Sequence, residues 1–312
     1  MELQMAQRMT VAGIKEQYQK YPYPARNPED ERSRLIAVPV VDLRKINKSF
    51  WSNKKKFDGN FRILDAGCGT GDAVIYLAEQ LKHTNSKIVA LDFSKTSLEI
   101  VEERARTRNL KNIAFVQSPI EHIPKLNLGK FDLIICTGVL HHLPDPQPAL
   151  RILTNSLKED GLIIVMLYGK YGRMAIYMLQ ELLKRTNADE TDKQKKIQNA
   201  REVLKNLSKS HWFKFSESVF RDERKDDGQL YDLLLHESDR PYTVPEIYEL
   251  LDSAGLELIQ FANKKQYETS TYIQGRLRAK IKNLSKKEQE AIAELLNSRM
   301  IMHTFIAQKI SQ

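Results

Sequence analysis

Two carboxylates, three alternating glycines and a pair of histidines are the residues of this 312-residue chain whose types and spacing could do chemistry. The stretch ILDAGCGTG places Asp65 ahead of Gly67, Gly69 and Gly71, with Cys68 and Thr70 between them. Glycines spaced this way let a strand turn sharply into a helix and bring backbone N–H groups up to a ligand. A dinucleotide turn would read G-x-G-x-x-G, and a phosphate-cradling loop would end in Gly-Lys-Ser/Thr. Here Asp72 follows Gly71, and no lysine or arginine lies between Asp65 and Tyr76 to meet a phosphate. Asp65 and Asp72 would repel one, so the turn suits a neutral or zwitterionic ligand, with Asp65 placed for an ammonium group. His141 and His142, in VLHHLPDP, could take a proton near neutral pH or could shape the turn into the next helix.

Apolar periodicity shows which elements position these residues. FRILDAG, KIVALDF, IAFVQS, FDLIICTG and GLIIVMLY read as strands. DAVIYLAEQLK, SKTSLEIVEERARTRN with its Ser N-cap, and PQPALRILTNSLK read as the helices between them. Strands apolar on both faces and separated by helices imply a parallel sheet covered on both sides. After residue 168 the alternation stops. Residues 171–210 look helical, with Met174, Tyr177, Met178, Leu182 and Leu183 at core-facing spacing, and 216–240 look charged and turn-like. TVPEIYELLDSAGLELIQFA restores a helix, a Gly255 C-cap and a strand, and a helical segment over 274–300 precedes a last strand, HTFIAQK. Ahead of the sheet, YQKYPYPARNPEDE makes a stiff segment after a helix expected over 14–21.

Composition narrows the class. With 41% hydrophobic and 29% charged residues the chain is an ordinary globular one. The longest apolar runs fall far short of the roughly 20 residues that span a bilayer. The opening MELQMAQRMT lacks the pattern of a secretory signal, so the cytoplasm is the expected compartment. Cys68 and Cys136 alone exclude a disulfide scaffold and a four-cysteine zinc site, and no metal is expected. The net charge of +9 arises outside residues 61–168, which are neutral. Such a surplus reads as solvated surface before it reads as a nucleic-acid footprint.

DAGCGTG, the acid Asp92 closing IVALD, and FDLIICTGVLHHLPDP together resemble the class I S-adenosylmethionine-dependent methyltransferase family. The resemblance covers roughly residues 61–168 and 241–262. It implies an α/β, Rossmann-like fold: a mostly parallel seven-stranded sheet with helices on both faces, extended by helical insertions and an N-terminal arm. The division it suggests is an arm and helices over 1–60, a cofactor core over 61–168 and a mostly helical insertion over 169–240. Residues 241–312 would then complete the sheet around a helical insertion at 263–302. S-adenosylmethionine is the implied cofactor, held by Asp65, Gly67, Cys68, Gly69 and Gly71. Asp92 and Phe93 would meet the ribose, Ile120 the adenine, and Cys136, Thr137 and Gly138 the methionyl part. Where many relatives carry an acid for the adenine amino group, this chain has Pro119. Adenine then falls to backbone around Ile120, to apolar packing, or to Gln117 or Glu121.

An Asn/Asp-Pro-Pro-Tyr motif after the fourth strand is missing, which argues against methylation of base or glutamine amide nitrogens. The methyl acceptor is expected to be a small molecule or a protein side chain such as lysine, with the small molecule preferred. Transfer needs no base when the acceptor arrives neutral, because alignment carries most of the barrier reduction. His141, His142 and Tyr168 are accordingly secondary catalytic candidates. Tyr21, Tyr23 and Arg26 of the arm, and Tyr171 and Arg173 beyond the fifth strand, are candidates for acceptor or lid contacts, whereas Met174, Tyr177 and Met178 read as core packing. Alternatives are an RNA or DNA methyltransferase using the basic segments, a cofactor-binding regulator without transfer activity, and last a nicotinamide-dependent oxidoreductase. No pattern in the sequence sets an oligomeric state.

Overall fold

The computed structural model describes residues 18–221 and 224–310. Seven strands form one sheet: β1 (Arg62–Ala66), β2 (Lys87–Asp92), β3 (Ile113–Gln117), β4 (Phe131–Thr137), β5 (Leu157–Tyr168), β6 (Leu256–Phe261) and β7 (Met302–Lys309). Their order is 3-2-1-4-5-7-6, and all pairs are parallel except those of β7 with β5 and β6. The helices are α1 (Leu43–Phe50), α2 (Asp72–Gln80), α3 (Lys95–Thr107), α4 (Gln147–Ser156), α5 (Met174–Thr186) and α6 (Lys193–Asn206). They continue as α7 (Trp212–Ser216), α8 (Asp227–Leu234), α9 (Val244–Ser253), α10 (Gly275–Lys282) and α11 (Lys286–Asn297).

Side-chain alternation along β4 shows why the sheet is buried on both faces. Leu133 and Ile135 join α1, α2 and α3 in one apolar layer, and Ile134 and Cys136 join α4 and α9 in the other. All four are fully buried, each contributing about 1.5–3 kcal/mol relative to exposure. Because β1 lies between β2 and β4, the chain reverses its direction of progress across the sheet there. The crevice beyond the carboxyl ends of β1 and β4 is therefore the topological switch point, where open α/β sheets bind ligands.

Residues 174–234 build a separate apolar cluster of their own, centred on Ile176, Leu179, Phe213, Phe220, Leu230 and Tyr231. Two expectations need correction here. The charged stretch 216–240 contains α8, opened by Asp226, whose side chain accepts from Gln229 N. Leu230, Tyr231, Leu233 and Leu234 are buried along this helix, and Asp232 is buried with them. In α5 the buried stripe is Ala175, Ile176, Leu179 and Leu183, while Met174 and Met178 are exposed. Helical spacing alone fitted both faces, and the packing partner chose the one without the methionines.

Smaller differences follow from local pairing. Strand β5 begins at Leu157, opposite Phe131 across a bulge, so it takes over the end of the helix expected through residue 158. The helical segment 274–300 divides into α10 and α11, the second opened by Ser285. The helix expected over 14–21 lies partly outside the described residues, and 18–20 are helical. Among the described residues no helix is long and apolar enough to cross a membrane.

Candidate active site

The glycine turn between β1 and α2 holds Gly67, Gly69 and Gly71 at φ of 83°, 52° and 90°, a region that favours glycine. A Cβ on Gly67 would lie 2.3 Å from the Val139 side chain, and one on Gly69 would lie 2.6 Å from the Tyr23 carbonyl oxygen. These glycines therefore admit protein neighbours: the loop after β4 at Gly67 and the N-terminal strap at Gly69. The turn is tied to β2 by Gly67 N and Cys68 N, which both donate to Leu91 O.

Three carboxylates converge on this turn, and they are in different states. Asp92, at the end of β2, accepts from Gly69 N and Ser94 N, each at 2.8 Å. Burial raises its pKa, and those two N–H groups and that of Phe93 oppose the shift. Asp72 is doubly paired: Arg26 forks onto it at 2.8 and 2.6 Å, and Arg104 reaches it at 2.9 Å. Burial would raise the Asp72 carboxyl, but the two guanidiniums outweigh it and hold it below the usual range. Asp65 has no such partner: no hydrogen bond or ion pair from the described residues reaches it. Burial first, then the charges of Asp92 and Asp72, push it up to about 8. The fit is to an ammonium or sulfonium group, not to a phosphate.

The strap over residues 18–31 joins the turn to the insertion. Thr70 N and Oγ1 donate to the carbonyls of Tyr23 and Pro24 at 3.3 and 2.7 Å. Arg104, fully buried, ties Thr70 O and Asp72 to Glu31, which also pairs with Arg108. At the other end, Tyr21 stacks on Tyr231 and accepts from Gln194 Nε2 at 2.9 Å. Tyr18 packs edge-on against Phe93 and His142 and donates to Asp232 Oδ1 at 2.9 Å.

The paired histidines part company. His141 is fully buried with its ring centroid 3.9 Å from that of Tyr168, and its ring nitrogens have no hydrogen-bond partner among the described residues. Burial, then His142 and Arg173, hold it well below the ordinary histidine range, so it is neutral. Tyr168 is in turn covered by the Arg173 guanidinium, 3.6 Å from its ring centroid, and burial raises its hydroxyl well above the usual range. His142 instead turns toward the strap. Its Nδ1 lies 2.9 Å from Ser238 O, and its ring stacks on His236 at 3.8 Å. His142, Asp232 and His236 bring one potential ligand atom each within 4.8 Å of one another.

Of the remaining candidates, Cys68 is buried beside the turn, and Cys136 is fully buried at the end of β4; both thiols are free. Thr137 and Gly138 border the switch-point crevice, and Phe93 is half-buried under Tyr18. Ile120 packs in the apolar layer of α4. Tyr171 is half-buried before α5, its carbonyl accepting from Met174 N, and Arg173 reaches Asp239 at 3.6 Å. Sequence reasoning passed over Tyr18, Asp232, His236 and Asp239. The last three sit in the stretch read as turn-like, and the apolar spacing of LYDLLL was the signal for its helix.

A parallel sheet switching direction at β1, a glycine turn flanked by acids at the ends of β1 and β2, and a cleft shaped for a cation define an S-adenosylmethionine-dependent methyltransferase of class I. The chain belongs to the family described as Methyltransferase domain, whose model matches residues 57–295. It is similar to the uncharacterized protein syc1184_c of Synechococcus sp., with 28% identity over 252 residues, 79% of this chain and 60% of that one. It is also similar to a ubiquinone biosynthesis O-methyltransferase of Acinetobacter baumannii, with 28% identity over 100 residues, 32% of this chain and 40% of that one. The chain thus spans between 40% and 60% of the length of these relatives. Among solved structures, PKMT2 from Rickettsia typhi in complex with AdoHcy shares the fold. Its TM-score is 0.69 at 20% identity, over 89% of this chain and 54% of that one. The cofactor is S-adenosylmethionine.

Proposed function

We propose that this chain methylates a hydroxyl group of a small molecule, which enters between the strap and the insertion. The observation that carries the reading is the polar cluster of buried His142 and Asp232 with half-buried His236 and Tyr18 beside the switch-point crevice. Bound S-adenosylmethionine supplies an activated methyl group on sulfur. Asp65 would hold its ammonium end, Asp92 with Phe93 its ribose, and Gly67, Cys68, Gly69, Gly71, Ile120, Cys136, Thr137 and Gly138 its surroundings. The strap, tied at both ends, encloses the acceptor and excludes water, which favours a compact acceptor over an extended chain. The carboxylates of Asp92, Asp232 and Asp239 around the cleft disfavour a nucleic-acid phosphate backbone. The O-methyltransferase named above supports oxygen as the acceptor atom.

A second reading is an amine acceptor, small or on a protein, and Asp232 favours it: a buried carboxylate suits an ammonium group. The cytoplasm is the compartment proposed. The experiment is methyl transfer from tritiated cofactor to three probes: a panel of phenols and catechols, a lysine-rich peptide, and an RNA transcript. Label on phenolic oxygen is expected. Label on the peptide alone would replace the first reading by the second, and no label on any probe would favour a non-catalytic regulator.

A further inference from the structure

We propose that His142 is the proton acceptor of the transfer, and that the backbone of Ser238 prepares it by fixing two histidines in opposite tautomers. This assignment deepens the hydroxyl reading and rests on it for the identity of the proton. A carbonyl oxygen can only accept, so the 2.9 Å contact between His142 Nδ1 and Ser238 O puts the His142 proton on Nδ1. Its Nε2 then carries a lone pair, and no hydrogen bond from the described residues occupies it. The same residue does the reverse to the neighbouring ring. Ser238 N donates to His236 Nδ1 at 3.0 Å, so a neutral His236 carries its proton on Nε2.

The surrounding groups keep this polarity. His236 Nε2 lies 3.3 Å from the Tyr18 hydroxyl, which hands its own proton to Asp232 Oδ1 at 2.9 Å. Donors therefore run in one direction, from His236 to Tyr18 to Asp232, and none of these protons is directed at His142 Nε2. Burial holds His236 well below the ordinary histidine range, so it stays neutral in its stack on His142. Asp232, close to both rings, is placed to stabilise an imidazolium formed at His142.

The same geometry decides against a metal at this cluster. His142, Asp232 and His236 have the donor types of a divalent-cation site, but both His236 nitrogens are committed. Its Nδ1 accepts from Ser238, and its Nε2 bears a proton. One free nitrogen lone pair remains, on His142. In the transfer, the acceptor O–H bond breaks and its proton moves to Nε2. The electron pair left on oxygen forms the bond to the methyl carbon, and the pair of the sulfur–carbon bond returns to sulfur. Tyr18 and Asp232 act as positioning residues. Because Tyr18 belongs to the strap, the site is complete only with the strap in place.

The test begins with long-range proton–nitrogen NMR on the histidine-labelled full chain with S-adenosylhomocysteine, assigned by subtraction using His142→Gln and His236→Gln. Protons on His142 Nδ1 and His236 Nε2 are expected; a proton on His142 Nε2, or on His236 Nδ1, overturns the assignment. Titration of the wild type with cobalt(II) chloride checks the same point without any variant. No d–d bands beyond the weak one of the hydrated ion are expected, and new bands abolished by His236→Gln overturn it. With any phenol that the wild type methylates, His142→Gln keeps an oxygen at the ε position but cannot take the proton. The kcat should fall at least ~100-fold, within the range for general bases, with KM changed less than about threefold; an unchanged kcat overturns the proposal. Tautomers as stated uphold the assignment even if no phenol is methylated, an outcome that removes only the hydroxyl reading.

Discussion

The guanidinium of Arg26 forks onto the carboxylate of Asp72, with contacts of 2.8 and 2.6 Å. The pair joins the strap to the first turn of α2, at the glycine turn proposed to meet the cofactor. Arg26, a candidate for acceptor or lid contacts in the sequence, is paired with Asp72 in the fold. Arg26→Ala should leave Asp72 with Arg104 as its partner, costing about 1 kcal/mol of global stability for a half-buried pair. The KM for S-adenosylmethionine should rise roughly tenfold, the scale of one lost charge-assisted contact on the lid. Arg26→Lys should recover little of it, because a single ammonium cannot fork. Steady-state kinetics with a denaturant melt checks both numbers; a KM equal to wild type would detach the strap from cofactor binding.

Asp65 gives the site a defined pH dependence. Its pKa is pushed up to about 8 in the folded protein, against roughly 3.9 unfolded. A group raised in this way contributes stability that is fully present below about pH 4 and lost as pH rises through about 8. A cationic ligand selects the ionised form. Cofactor affinity should therefore increase with pH up to about 8 and then level, with close to one proton released per ligand at pH 7. Calorimetry in two buffers of different ionisation heat measures that proton directly, and none released would separate the ammonium from Asp65. Asp65→Asn should remove the pH dependence and stabilise the unliganded protein at pH 9, with ~6 kcal/mol as the ceiling at 1.36 kcal/mol per pH unit.

Asp92 does two jobs at once. Its carboxylate caps Gly69 N and Ser94 N, and it is the group proposed to accept from the ribose hydroxyls. Asp92→Ala should reduce cofactor affinity by about 1.5–3 kcal/mol, the scale for hydrogen bonds to a charged group. It should also destabilise the unliganded protein by about 1–3 kcal/mol, because two backbone N–H groups lose their acceptor. Titration calorimetry and a denaturant melt read the two effects separately. Affinity unchanged in a folded variant would move the ribose elsewhere.

The sheet and its glycine turn were legible because both are written locally. Apolar runs such as FDLIICT fix buried strands, and ILDAGCGTG with Asp92 fixes the turn and its acid. What was not legible depends on contacts distant in the chain. The charges of Asp65 and Asp72 look equivalent in sequence, but Arg26 and Arg104, 46 and 32 residues away, neutralise only one of them. His141 and His142 are adjacent and identical in type, yet a single turn of 3₁₀ geometry sends one into the core against Tyr168 and the other to Ser238, 96 residues on. The helix α8 was hidden by the charges flanking it. With it went Asp232 and His236, the two residues that give the acceptor side its polarity.

The arm tyrosines remain the most direct probe of where the acceptor is recognised. Tyr21 stacks on Tyr231 of the insertion, while Tyr23 presents its carbonyl to Thr70 at the cofactor turn. Both side chains are half-buried, and neither belongs to the two apolar layers that cover the sheet. Changing Tyr21 and Tyr23 together to alanine should therefore cost the sheet little. Loss of the Tyr21–Tyr231 stack should account for about 0.5–1.5 kcal/mol beyond the area it buries. Turnover should fall much further, at least about tenfold, because the strap would no longer hold Tyr18 over His142 and Asp232. The Tyr23 carbonyl survives the change, so Thr70 keeps its partner and cofactor affinity should stay within about threefold. Kinetics and cofactor calorimetry on the double variant decide the matter. Normal turnover would make the arm a structural staple and return acceptor recognition to α8 and the residues that follow it.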